Sequence, residues 1–214
     1  MVNDSIHKDY SKEFLDSLLK GNKESCSSIV KQLVEKNIPI PQLYENLIKK
    51  SLYDIGDLWE SNTISVATEH LASAIIEKIL NETYPEILLE QKINKKVIVS
   101  CVETELHQIG LKMIADIFEL HGWDTYFLGT STTTGDLIAF AENIHPDVIA
   151  LSLTLDFNFP LLQRMIEEFH SNFPNIAIIV GGQAFAKNNA LVAQLKHCIY
   201  LPDIQKTEEF ISRF

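Results

Sequence analysis

A chain of 214 residues with 46% apolar side chains is long enough to bury one large or two small cores. Its net charge of −11 is spread over both halves, and no run of Lys and Arg is long enough to follow a phosphate backbone, so direct nucleic-acid binding is not expected. No secretory leader opens the chain, and its longest apolar runs are too short to cross a bilayer, so a cytoplasmic protein with no membrane association is expected.

From Lys8 to about Leu89 the apolar residues recur at helical spacing. The first helix carries Phe14, Leu15, Leu18 and Leu19 and stops at Gly21; the second carries Ile29, Val30, Leu33 and Val34. Pro39 and Pro41 open a third that runs through Leu43, Leu47, Leu52, Ile55 and Leu58 to Trp59. A fourth, from about Ser65, carries Leu71, Ala74, Ile75 and Ile79. Short connections between helices of this length predict an antiparallel four-helix bundle over residues 1–90.

The rhythm changes after the polar stretch from Gln91 to Lys96, where short β-branched runs alternate with amphipathic segments. The pattern predicts strands at Val97 to Val102, Thr125 to Leu128, Val148 to Leu153 and Ile176 to Val180. Between them it predicts helices at about Ile109 to His121, Gly135 to Asn143 and Pro160 to Phe169. Leu191 to Leu195, Cys198 to Leu201 and Thr207 to Phe214 would complete a five-stranded parallel sheet with helices on both faces, an α/β domain over residues 91–214. Cys26, Cys101 and Cys198 have no Cys-x-x-Cys spacing, so neither a disulfide framework nor a zinc site is expected, and each is read as a buried small hydrophobe.

In an open parallel sheet ligands bind outside the carboxyl ends of the strands, and three motifs fall there. Glu105-Leu106-His107-Gln108-Ile109-Gly110 follows the first strand, Ser152-Leu153-Thr154 ends the third, and Gly181-Gly182 follows the fourth. His107 can present one imidazole nitrogen to a metal while Glu105 holds the other and fixes the tautomer. Gly110 leaves space for a large planar ligand, Gly181 and Gly182 allow close backbone approach, and Ser152 and Thr154 supply hydroxyls. No Gly-x-Gly-x-x-Gly follows a strand, which argues against a nicotinamide-binding site, and no nucleophile stands in a recognisable catalytic setting.

This half resembles the cobalamin-binding domain shared by corrinoid methyl carriers, mutases and light-responsive cobalamin regulators. Its pattern is Asp-x-His-x-x-Gly, about forty residues, Ser-x-Leu or a variant, somewhat under thirty residues, then Gly-Gly. Here residues 111–151 and 155–180 fill the two gaps. The resemblance implies a helical bundle followed by a five-stranded Rossmann-like, flavodoxin-like domain. It further implies a cobalamin whose lower cobalt ligand is His107, flanked by Glu105, Gln108, Ile109 and Gly110, with the displaced tail passing Ser152 and Thr154 toward Gly181 and Gly182. Glu105 stands where Asp is usual, and Thr154 where Leu would come third.

The helical half also resembles the cap of the light-responsive regulators, in which a Trp and, after nine intervening residues, a Glu-His pair contact an upper adenosyl group. The matching residues are Trp59, Glu69 and His70. An indole can pack over a base or sugar and a carboxylate can accept from ribose hydroxyls. Glu60 occupies the position of a His that takes over the upper cobalt site in some members. Those regulators begin with a winged-helix domain, for which the residues before Lys8 leave no room, so any output is expected through a protein partner or a change of oligomeric state. The resemblance thus implies a non-enzymatic sensor preferring adenosylcobalamin, with methylcobalamin or hydroxocobalamin as other forms. The alternative is a corrinoid carrier for a methyltransferase system, although Gln108, Leu111 and Lys112 depart from the Asp-x-His-Asp-x-Gly-Lys-Asn of many carriers. A cobalamin store or delivery protein is a third reading.

Overall fold

The structure, a computed structural model, describes residues 3–87 and 92–214, with side chains from Tyr10 onward in the first stretch. Contacts divide the chain into two compact units between Glu86 and Ile87. The expected boundary between residues 90 and 91 lies outside the described residues.

The first unit is helical. Helix α1 (Asn3–Leu19) leads through Gly21 into α2 (Lys23–Glu35), whose first turn is capped by Asn22 accepting from the Ser25 N–H at 3.0 Å. Helices α3 (Ile40–Leu43) and α4 (Lys50–Glu60) are joined without a break by a π-helical turn, Tyr44–Lys49. The single third helix expected from the apolar spacing is therefore present but locally widened. Its pattern of Leu43, Tyr44, Leu47, Ile48 and Ile55, all buried, reads as an ordinary helical stripe and does not announce the wider turn. Helix α5 (Val66–Thr83) starts from Ser65, which accepts from the Thr68 N–H at 3.1 Å. Phe14, Leu18, Cys26, Leu33, Ile76 and Ile79 complete the core.

The second unit is a parallel sheet in the order β2-β1-β3-β4-β5 with intervening helices. In chain order its elements are β1 (Lys96–Cys101), α6 (Ile109–Leu120), β2 (Asp124–Gly129), α7 (Thr134–Ile144), β3 (Val148–Ser152), α8 (Phe159–Asn172), β4 (Ala177–Gly181), α9 (Gln183–Lys187), β5 (Ile199–Tyr200) and α10 (Ile204–Ile211). The central strands bury Val97–Val99, Val148–Leu151 and Ile178–Val180 because helices cover both faces. The fifth strand is shorter than expected. His197 takes a left-handed φ of 58° just before it and Pro202 follows closely, so only Ile199 and Tyr200 pair with β4.

The strand order places its switch between β1 and β3, where the connections leave in opposite directions and open a crevice at the carboxyl ends. Register then aligns the motifs. Cys101 pairs with Ser152, and Ser152 with Gly181, so the ends of β1, β3 and β4 stand abreast.

Candidate functional site

The site in the second unit is built on the loop from Val102 to Gln108. His107 lies in this loop with its side chain 52% exposed, and its Nδ1 is 3.0 Å from Glu105 Oε2. That contact occupies one ring nitrogen, so Nε2 is the nitrogen that could take a metal. Glu105 is itself only 1% exposed, and a buried carboxylate without partners would be prohibitively costly. Its second oxygen, Oε1, accepts from the N–H of Leu155 at 2.8 Å, the N–H of Thr154 at 3.2 Å and Asn158 Nδ2 at 3.2 Å. Burial opposes the charge, but the hydrogen bonds from His107, Leu155 and Asn158 outweigh it and hold the carboxyl below its usual range.

Two further ties fix the loop. Glu103 Oε2 accepts from the backbone N–H and hydroxyl of Thr134 at 3.2 and 2.9 Å, anchoring the loop to the start of α7. Cys101 Sγ lies 3.7 Å from the His107 carbonyl, and burial, with the Glu105 charge, pushes its thiol up to about 12. Cys101 is a packed, protonated thiol.

The motif glycines serve different purposes. A Cβ at Gly182, whose φ is +116°, would stand 2.1 Å from the Leu153 carbonyl oxygen, so the close neighbour that demands glycine is the chain's own β3 end. A Cβ at Gly181 would meet the Leu201 oxygen at 3.1 Å. At Gly110, in the first turn of α6, a Cβ would meet no atom within 4 Å. Among the described residues nothing requires that glycine.

Ser152 and Thr154 are half-buried, and what reaches Glu105 from this segment is the backbone N–H of Thr154. Gln108 precedes α6 with its side chain over the Gly129 backbone, and Ile109 is the first residue of that helix. Sequence reasoning passed over Asn158 and Glu103, which bond across the loops, and over Leu106 and Phe157, both 73% exposed on the loops after β1 and β3. Two strongly exposed apolar side chains at a strand-end crevice are a signal legible in the sequence once the loops are placed.

In the first unit, Trp59 lies on the last turn of α4 and is 46% exposed. Glu69 and His70 lie in the first turns of α5, and residues 61–65 connect the two, so all three occupy one end of the bundle. Glu69 Oε2 is 2.5 Å from His70 Nδ1, and Oε1 accepts from the Ser73 hydroxyl at 2.8 Å.

Among the described residues no group of three or more His, Cys, Asp or Glu could hold a metal ion. One exposed imidazole backed by a buried carboxylate, beside a patch with no side chain at Gly110, fits a metal that brings its own equatorial ligands and needs a single axial donor. A corrinoid is such a group. No helix among the described residues is long and apolar enough to cross a membrane.

Comparison with known proteins gives two family matches, each described as a B12 binding domain: one over residues 95–206 and a second over residues 10–82. The HTH-type transcriptional repressors CarA and CarH of Myxococcus xanthus are 32% identical over 89 residues and 24% identical over 159 residues, 42% and 74% of this chain. The chain spans only 31% and 52% of their lengths. A corrinoid protein of Desulfitobacterium hafniense (strain Y51) is 19% identical over 72% of this chain and 74% of its own. The structure of the Methanosarcina barkeri monomethylamine corrinoid protein superposes with a TM-score of 0.82 at 11% identity, over 97% of this chain and 99% of that one, a likeness of fold.

Proposed function

Because the chain belongs to the B12-binding domain family, we propose that it is a non-enzymatic cobalamin sensor. In this reading it holds adenosylcobalamin with His107 as the lower axial ligand and signals through a protein partner or a change of oligomeric state. The observation that carries the sensing role is Trp59, a half-exposed indole at the end of the bundle that also bears Glu69 and His70. A Trp left this open, at that sequence spacing from a Glu-His dyad, supports a binding role over a packing one. The bound cofactor would supply a photolabile cobalt–carbon bond. The chain's own part is to orient an imidazole in the second unit and to present an aromatic plate and a carboxylate in the first. Likeness to transcriptional repressors supports a regulatory output, and the acidic chain suits a basic protein partner.

A second reading, a corrinoid carrier for a methyltransferase, is supported by the greater share of its own length over which the corrinoid protein is matched. Illumination separates the two. Protein loaded with adenosylcobalamin in the dark is expected to change its elution on size exclusion after exposure to light, whereas the bleaching of the cofactor's own bond would occur in either reading. A complex whose elution stays unchanged, while its methylcobalamin form gives up the methyl group to a thiol in the presence of a methyltransferase, leaving a methyl thioether and cob(I)alamin, would establish the carrier. Lower ligation is read separately by spin resonance of the cob(II)alamin complex made with nitrogen-15-labelled histidine. A doublet that is lost in His107→Ala marks His107, and a triplet means the cofactor's own base stays on cobalt.

A further inference from the structure

We propose that Glu103 is a specificity-determining residue for the strand-end crevice, and this rests on the reading of that crevice as a corrinoid site. It selects a corrinoid whose ring edge carries a neutral amide over one carrying a free carboxylate. The Glu105 N–H donates to the Val102 carbonyl at 2.7 Å, which closes a tight turn with Glu103 and Thr104 at its corners, on the same loop as His107. Glu103 is half-buried, and its Oε2 accepts from the Thr134 N–H at 3.2 Å and from the Thr134 hydroxyl at 2.9 Å. Thr134 opens α7, whose first N–H groups carry the positive end of the helix dipole. Thr133 Oγ1 accepts from the Asp136 N–H at 3.1 Å and lies 2.7 Å from Asp136 Oδ2. The chain thus meets this helix start with its own acceptors and sets two carboxylates there, so an anionic ligand group would face negative charge in place of open donors.

The connection from β2 to α7 rises from the same rim as the His107 loop, because Gly129 at the end of β2 pairs with Ser100 on β1. Two ties hold it to that loop: the Gln108 side chain lies over Gly129 at its start, and Glu103 grips Thr134 at its end. Between them stand Thr130, Ser131 and Thr132, with Ser131 held in the left-handed region at φ 61°. A corrin held at cobalt by one axial nitrogen extends its amide-bearing edge sideways over the loops that flank that nitrogen. Hydroxyls can serve either half of an amide. Glu103 Oε1, which makes no bond to a described residue, can only accept. It matches an amide NH2 group and opposes a carboxylate, and that difference is the selectivity.

The test titrates the full chain with hydroxocobalamin and with each of its isomeric monocarboxylic acids, in which one ring propionamide is hydrolysed. Unsubstituted protein, Glu103→Gln and Glu103→Ala are compared, and melting of each cofactor-free form is recorded alongside. Glu103→Gln keeps an acceptor for Thr134 and removes only the charge, so it separates recognition from the clamp. The reading is the ratio of acid to amide affinity within one protein, which a general loss of fold would leave unmoved. The unsubstituted protein is expected to bind one isomer about tenfold more weakly than hydroxocobalamin and the others less differently. Glu103→Gln and Glu103→Ala should bring that one ratio to about one. A ratio that Glu103→Gln does not change, or an equal penalty on every isomer in all three proteins, would assign the effect to the overall acidity of the chain and overturn the proposal. If the unsubstituted protein binds hydroxocobalamin but does not tell it from any acid, Glu103 alone is overturned; if it binds no hydroxocobalamin, the corrinoid reading falls and takes this proposal with it.

Discussion

Gly110 and Gly182 belong to one sequence pattern but answer to different constraints. Gly182→Ala would drive a methyl group to 2.1 Å from the Leu153 carbonyl at a φ that L side chains rarely adopt, so unfolding free energy should fall by about 3 kcal/mol or more. Gly110→Ala meets nothing and replaces a helical glycine, so denaturant midpoints of the cofactor-free protein should hold or rise by up to about 1 kcal/mol. Hydroxocobalamin affinity should nevertheless drop by about tenfold, because the methyl group enters the open space beside His107. Parallel binding and urea titrations of the two variants check this, and equal loss of affinity and stability at Gly110 would assign that glycine to the fold. The sequence carried the His107–Glu105 pairing plainly, since two residues on one short loop need no tertiary information to meet. Asn158 was silent, because its contact with Glu105 crosses between loops 53 residues apart and nothing in an Asn before Phe-Pro distinguishes a cap from a bridge.

At the scale of elements, alternation of β-branched runs and amphipathic segments made the sheet legible. The two-residue β5 and the π-helical turn Tyr44–Lys49 were not legible, because both depend on backbone geometry that the apolar pattern leaves open. The amino ends of the strands are pinned by Asp147, whose carboxylate accepts from Lys95 Nζ and the Lys96 N–H, each at 2.9 Å, joining the start of β1 to the start of β3. Burial disfavours its charge, but the Lys95 ion pair and the Lys96 N–H outweigh that and hold the carboxyl below its usual range. A depressed folded-state value means the stabilisation is complete above the unfolded value and disappears as pH falls through the folded one. Asp147→Asn should therefore cost about 1 kcal/mol near pH 7 and progressively less toward about pH 3, as urea unfolding at the two values would report. A cost independent of pH would mean that the carboxylate's charge contributes nothing.

For the whole molecule, the question is what distinguishes a sensor of the upper ligand from a general cobalamin binder. Trp59 is half-exposed, so Trp59→Ala should change stability by no more than about 1 kcal/mol. If the indole packs on an adenosyl group, the same substitution should weaken adenosylcobalamin binding about tenfold and leave hydroxocobalamin binding unchanged, measured by equilibrium titration in the dark. Equal losses for both forms would remove the basis for upper-ligand selectivity. The two-part organisation was readable from the change of periodicity near Lys96, and the family from the spacing of three strand-end motifs, because register in a parallel sheet converts spacing along the chain into proximity at its rim.

The sharing of Glu105 between two loops also has a mechanical meaning. One rigid carboxylate joins the imidazole of His107 to the first turn leading into α8, so a tug on the ring is a tug on that turn, and Phe157 is carried on the outside of the same turn. A bond made or broken at the ring's free nitrogen would thus surface as displacement of an exposed phenyl group, and amide exchange at Leu155 is the gauge that reads the motion.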